Sequence, residues 1–267
     1  MAKEKKSKKI SGSWFTINIK AYKNQTKQHY IDAFHSLLQN DPLVKISGNK
    51  HISIEGMDFI GDCKNPKMIV MTLCAYDIMD PDAFYDIRKK TQVNLDLNPD
   101  IVANKKSGTL YFVPEVHRLM VPRSNQISYK RVVKYFTDAF AMMKMGGEFD
   151  VNIEVSREVI ETIEQAYMLY SLEASLSYSN NDPSSGFVKM FDQKTNEAGA
   201  DKVDINLKAK GRALSVTKNG LIEAILNLVK SNGSARAKIR KSENENPVTI
   251  ETKDYPDMVH LEGDQRL

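Results

Sequence analysis

The chain has 267 residues, 41% hydrophobic and 27% charged, with a formal net charge of +4. That length can bury a core without disulfide or metal staples, and its two cysteines, Cys63 and Cys74, match no zinc or redox spacing. The basic N-terminus has no apolar run behind it, and no segment has the length of a membrane span. The expectation is a cytoplasmic protein, neither secreted nor inserted in a membrane.

Residues 1–12 read as a flexible basic arm. Trp14–Lys20 alternates and is rich in β-formers, which predicts a strand. Asn24–Thr26 can cap a helix whose apolar positions are Tyr30, Ile31, Phe34, Leu37 and Leu38, ended by Asp41-Pro42. Leu43–Ile46 and His51–Met57 predict a hairpin around Ser47–Asn49, and Lys67–Tyr76 predicts a buried strand. Residues 77–106 are polar and rich in Asp, and read as an excursion with one short helix near Asp82–Lys90. Thr109–Val113 and His117–Val121 form another hairpin-like pair. A helix then carries Val132, Val133, Phe136, Ala139, Phe140 and Met143, and stops at Gly146-Gly147.

With a strand at Phe149–Val155, the order is that of a ferredoxin-like βαββαβ half with an insertion. The second half alternates. It has a short helix at Arg157–Gln165, a strand at Met168–Tyr178, a loop from Asn180 to Ser185, and a helix at Phe187–Asn196. A strand at Lys202–Leu207, an amphipathic helix carrying Leu221–Val229, and strands at Ala235–Arg240 and Pro247–Thr252 follow. The class is therefore α+β, with a mostly antiparallel sheet in the second half. The domains are 13–147 and 148–267, behind the arm 1–12.

Motifs of catalysis are missing. There is no Gly-rich phosphate loop, no His-Glu-x-x-His, no paired CxxC and no Gly-x-Ser-x-Gly. The five histidines are scattered, and no helical metal pair exists among them. Asp77, Asp80, Asp82 and Asp86 cluster in the excursion, but without a calcium-loop pattern they read as a solvated acidic loop. No metal and no cofactor is expected. His29, in the first turn of the first helix, occupies a place where ferredoxin-like RNA endonucleases often carry a general acid/base. Lys27 or Tyr30 would assist it. The Gly-rich loop of that class is missing here, and a surface histidine is the plainer reading.

Charge is distributed in blocks. The tail 1–9 carries the whole +4, while residues 147–201 sum to −8, residues 202–241 to +8 and residues 242–267 to −5. Within the basic block, Arg236, Lys238 and Arg240 alternate with Ala235, Ala237 and Ile239. A strand would put the three cations on one face. Lys208, Lys210 and Arg212 repeat the alternation. Six cations on one sheet face would suit a phosphate backbone, whose counterions they release. Two other readings stand beside this one: lysines guarding an edge strand, and a stripe that pairs with the acidic block 147–201 within the chain or across a dimer. Few aromatics lie in the stripe, so contacts to the backbone rather than base stacking are expected.

The segments Leu172–Tyr178, Lys202–Lys208, Thr252–Pro256 and Pro42–Asn49 resemble a family of bacterial and phage-encoded proteins known only as a domain of unknown function. The resemblance implies an association with mobile elements and phage defence, and supplies no catalytic residues. Ser36–Leu38, Leu43–Ile46 and Ile52–Ile54 with Asp58 are similar to the phage lambda exclusion protein RexA. That similarity implies a dimeric, sequence-nonspecific DNA binder working with a membrane partner. The leading expectation is a non-enzymatic DNA-binding protein of phage defence or exclusion, using Lys208, Lys210, Arg212, Arg236, Lys238 and Arg240. An RNA endonuclease using His29, and an assembly partner binding through its acidic block, are the alternatives.

Overall fold

The computed structural model describes residues 8–22, 24–98, 100–145, 148–177, 186–200 and 202–265. The expected stop at 146–147 and the loop 180–185 lie outside them. Regular structure begins with β1 (Lys8–Ala21). The described end of the basic arm, residues 8–12, is therefore strand rather than a loose tail, because it pairs with residues 261–265. Thr26 caps α1 (Lys27–Asn40), its hydroxyl accepting from the His29 amide. Asp41, left-handed at φ 39°, closes that helix through its amide to the Leu37 carbonyl.

The strands β2 (Val44–Ser47) and β3 (Lys50–Asp62) turn at Gly48, whose φ of +52° suits glycine. β4 (Asn65–Asp77) follows. Among its described residues the excursion holds no α-helix. It has a 3-10 turn at Pro81–Ala83 and a small hairpin of β5 (Phe84–Asp86) and β6 (Thr91–Val93). The reason lies in its aspartates. Asp80 accepts from the Asp82 amide, and Asp86 accepts from the amides of Arg88 and Lys89. Such side-chain turns compete with helical hydrogen bonds.

Next come β7 (Ala103–Val113), β8 (Arg118–Pro122), α2 (Tyr129–Met142), β9 (Phe149–Ile153) and α3 (Arg157–Glu164). Then follow β10 (Met168–Leu176), α4 (Gly186–Glu197), β11 (Val203–Lys208) and α5 (Leu221–Asn232). β12 (Gly233–Arg240), β13 (Val248–Glu251) and β14 (Met258–Gln265) complete the order.

The chain divides into two units that are not contiguous in sequence. One is Thr26–Val116 with Ser124–Gly146. The other is Met1–Gln25, His117–Arg123 and Gly147–Leu267. The boundary expected at 147/148 falls where the last segment of the second unit begins. Sequence reading placed β1 and β8 within 13–147, whereas the division into units groups them with the C-terminal segment.

In the first unit, β7, β4, β3 and β2 lie side by side, and both helices pack on them. Phe34 of α1 stacks on Phe112 of β7, with centroids 4.2 Å apart, and lies 5.8 Å from Phe136 of α2. Most of the expected apolar faces of these helices are core: Tyr30, Ile31, Phe34, Leu37, Val132, Phe136, Ala139 and Phe140 are buried, whereas Leu38 is exposed and Val133 and Met143 are only partly buried. In the second unit, β1 pairs with β14, β8 and β9. Arg118 on β8 pairs there with Glu154 at 2.6 Å and donates to Asn18 on β1 at 3.1 Å. Every pairing within the units is antiparallel, so the protein is of mixed α/β build with antiparallel sheets. These pairings establish antiparallel sheets; they do not establish the specific ferredoxin-like strand arrangement expected for the N-terminal half. Among the described residues, no helix is long and apolar enough to cross a membrane.

Candidate nucleic-acid interface

Four strands of the second unit form one antiparallel sheet in the order β11, β10, β12, β13. One face is apolar. Leu172, Ala174 and Leu176 of β10, with Ala237 and Ile239 of β12, pack with Ile163 of α3 and Ile225 and Val229 of α5. Because side chains alternate along a strand, the other face is set by the residues between them. They are polar, with Asp204, Asn206, Lys208, Arg236 and Lys238 exposed and Ser171, Glu173, Ser175 and Arg240 partly exposed.

Register arranges this open face in rows. Asp204 and Ser234 flank Ser175. Asn206 and Arg236 flank Glu173, and Glu251 lies beyond Arg236. Lys208 and Lys238 flank Ser171, and Arg240 stands opposite Met168. Successive rows are about 7 Å apart, two residues of strand. The face therefore runs from carboxylates and hydroxyls at one end to cations at the other.

The cations are differently engaged. Lys208 and Lys238 have no ion pair or side-chain hydrogen bond among the described residues. Arg236 reaches Glu251 at 3.5 Å, with both side chains more than half exposed. Such a pair is worth about 0–1 kcal/mol, so the guanidinium is open to exchange. The Arg240 guanidinium carbon lies 5.9 Å from the centre of the Tyr170 ring, within cation–π range. Tyr170 sits where the β10–β12 register shifts between Leu169 and Ser171. The extra residue puts an aromatic beside the cations.

Of the six expected cations, Lys208, Arg236, Lys238 and Arg240 share this face. Lys210 and Arg212 do not continue the alternation, because β11 ends at Lys208 and Gly211, at φ +74°, turns the chain. The strand they were expected to extend becomes a loop. Of the charged arm, Lys8 and Lys9 belong to β1, and the rest lies outside the described residues. No ion pair links the stripe to the acidic block 147–201 among the described residues; the carboxylate beside Arg236 comes from Glu251.

A hollow of about 390 Å³ opens at the carboxylate end of the face. Its polar lining is Glu173, Asp204, Asn206, Arg236, Glu251 and Lys253, with Ser175 and Ser234. Asp204 accepts from the Ser175 hydroxyl at 2.5 Å. Glu173 has no hydrogen bond or ion pair among the described residues. The hollow depends on the close approach of β12 to β10. A Cβ on Gly233 would lie 2.1 Å from the Ser175 carbonyl oxygen and 3.1 Å from the Leu176 Cα. Gly233→Ala therefore has to move backbone, and a loss of about 1–3 kcal/mol is expected in urea unfolding. A variant as stable as the parent would show that the strands do not approach this closely.

The other expected groups lie elsewhere. His29 is in the first turn of α1, where its ring meets that of Tyr30 edge-on at 6.3 Å. Tyr30 is fully buried, and Lys27 pairs with Glu115 at 3.7 Å. The excursion's carboxylates are engaged locally. Asp77 takes Lys50 at 2.6 Å and Asn104 at 2.8 Å, which holds its carboxyl below the ordinary aspartate value. No group of three or more potential metal ligands occurs among the described residues. Cys63 is exposed and Cys74 buried, both as free thiols. Sequence reading missed Glu173 and Tyr170. The signal for Glu173 was its place between Leu172 and Ala174, both core residues.

The family model described as a domain of unknown function (DUF4747) matches residues 11–266. No curated protein matches the chain.

Proposed function

The chain belongs to that family, whose description assigns no activity, and from its own residues we propose that it binds the phosphate backbone of DNA through the cationic end of the open sheet face. It acts as a binding protein without base-sequence readout at those contacts. Lys208, Lys238 and Arg240, with Arg236 beside them, are the phosphate contacts. The observation that carries this reading is the row in which Lys208 and Lys238 flank Ser171 with no carboxylate partner among the described residues. An edge-guarding lysine needs only to sit at a sheet edge. Lys238 is on β12, which has strands on both sides. Unpaired cations held on a rigid sheet release counterions when they meet phosphates.

The test is a salt series of DNA binding, with Lys208→Ala, Lys238→Ala and Arg240→Gln combined. Each lost phosphate contact flattens the log–log salt slope by about one. The triple variant is expected to bind at least about tenfold more weakly in low salt, with the slope reduced by about three. Unchanged affinity and slope would exclude this face. The setting proposed for this binding is phage exclusion or defence, as the short resemblances imply. There the same variant is expected to lose protection in plaque counts; protection equal to the parent's would separate DNA binding from such a role.

A further inference from the structure

The hollow at the carboxylate end shares its face with the cations, one or two rows away. Its volume is in the range of small-ligand pockets. Unlike the cation row it holds three carboxylates, Glu173, Asp204 and Glu251, although the cations Arg236 and Lys253 also line it and Arg236 engages Glu251. Glu173 is an unengaged carboxylate, Asp204 an engaged one, and Asn206 presents both a donor and an acceptor. An ionised carboxylate only accepts hydrogen bonds. A group that fits between Glu173 and Asp204 must therefore bring N–H or O–H donors. The step from the Glu173 row to the Lys208–Lys238 row is about 7 Å along the strands. That is comparable to the reach from a nucleobase to its own phosphate.

Resting on the DNA-backbone reading above, we propose that the hollow is a base pocket. It receives one unpaired base bearing an exocyclic amino group, while the attached phosphates lie over Lys208, Lys238 and Arg240. The amino N–H groups of cytosine, adenine or guanine are donated to Glu173 and Asp204. Thymine places carbonyl oxygens on both sides of its one ring N–H, and these face the carboxylates unfavourably. In a duplex the base is stacked and one amino hydrogen is held in the base pair, so a base can enter the hollow only from single-stranded DNA or a strand end. Arg236, opposite Glu173, lines the hollow on the side of the cations and is placed to follow either the base or the phosphate.

The experiment measures anisotropy of labelled ten-residue oligonucleotides with the full chain at one salt concentration. Oligo(dC) and oligo(dA) are expected to bind about tenfold more tightly than oligo(dT), the scale of one good base contact. Glu173→Gln combined with Asp204→Asn is expected to erase that preference and leave the salt slope unchanged. Both carboxamides keep the side-chain shape, at a partly exposed position for Glu173 and an exposed one for Asp204. On the unmodified protein, cytidine monophosphate is expected to displace oligo(dC) at lower concentration than thymidine monophosphate. Equal binding of oligo(dC) and oligo(dT), or a preference that survives both carboxamides, would overturn the pocket while leaving the backbone reading in place. Failure to bind any oligonucleotide or duplex would overturn the backbone reading itself. Oligo(rC) bound more tightly than oligo(dC), with the same carboxamide dependence, supports the pocket and moves its substrate from DNA to RNA.

Discussion

Phe34→Ala is expected to cost about 3–5 kcal/mol in urea unfolding, the range for emptying a buried phenylalanine site. Three elements meet at this ring. It is fully buried, stacked on Phe112 of β7 and close to Phe136 of α2. Phe136 continues to Phe140 at 6.0 Å, and Tyr30 also reaches Phe112 at 6.2 Å. The cavity term adds to the lost transfer energy to the extent that the surrounding rings hold their places. Phe34→Leu is expected to lose clearly less, because it refills most of the volume. A loss below about 1 kcal/mol for the alanine variant would mean that the three elements do not share this ring.

Arg118→Ala is expected to act on the other unit through charge rather than volume. Arg118 and Glu154 are each only about a fifth exposed, at 22% and 18%. Burial pushes the Glu154 carboxyl above the ordinary glutamate value even though Arg118 pulls it down. Removing Arg118 strands a buried carboxylate, which costs toward the lower end of about 3–5 kcal/mol at neutral pH. The pH dependence has a definite sign. Between the ordinary glutamate pKa and the raised folded value, the folded state binds more protons than the unfolded one. Stability therefore falls as pH rises through that window. The variant lacks the lowering influence of Arg118, so its window extends further upward and its loss shrinks on acidification. Glu154→Gln in the Arg118→Ala background is expected to recover part of the neutral-pH loss. A pH-independent loss would assign the effect to packing of the arginine stem.

The open face illustrates what a sequence can and cannot disclose about this fold. The alternation from Ala235 to Arg240 was legible because one side of β12 is buried and a strand repeats every two residues. The same reasoning extended β11 through Lys210 and Arg212, and there it failed. Gly211 adopts a conformation that ends the strand, and nothing in the alternating pattern marks it. Glu173 and Asp204 join the cations only through the register of β10 with β11 and β12. Register between strands some thirty or sixty residues apart is non-local information. The bulge that presents Tyr170 is equally invisible along one strand.

Elsewhere, local signals decided what could be read. The three long amphipathic helices were legible because each lays a 3.6-period stripe on a core. The short helix expected near Asp82–Lys90 does not form, because the aspartates read as a solvated acidic loop instead fold successive turns on themselves. β14 escaped reading altogether. Met258–Gln265 is mostly polar and pairs on one side only, with β1. Edge strands of that kind carry little hydrophobic pattern to detect.

That last pairing has a consequence for how the chain acquires its structure. Lys8 stands opposite Gln265, and Phe15 opposite Met258. β1 leaves the ribosome early, yet its hydrogen-bonding partner on that side is about 250 residues away in sequence. Vectorial synthesis thus leaves β1 waiting, at about 5–20 residues per second, for more than ten seconds before this ladder can close. A ladder with such separation contributes strongly to contact order and slows the final step of assembly. A nascent chain halted before residue 258 would still display the outer edge of β1 to any strand within reach.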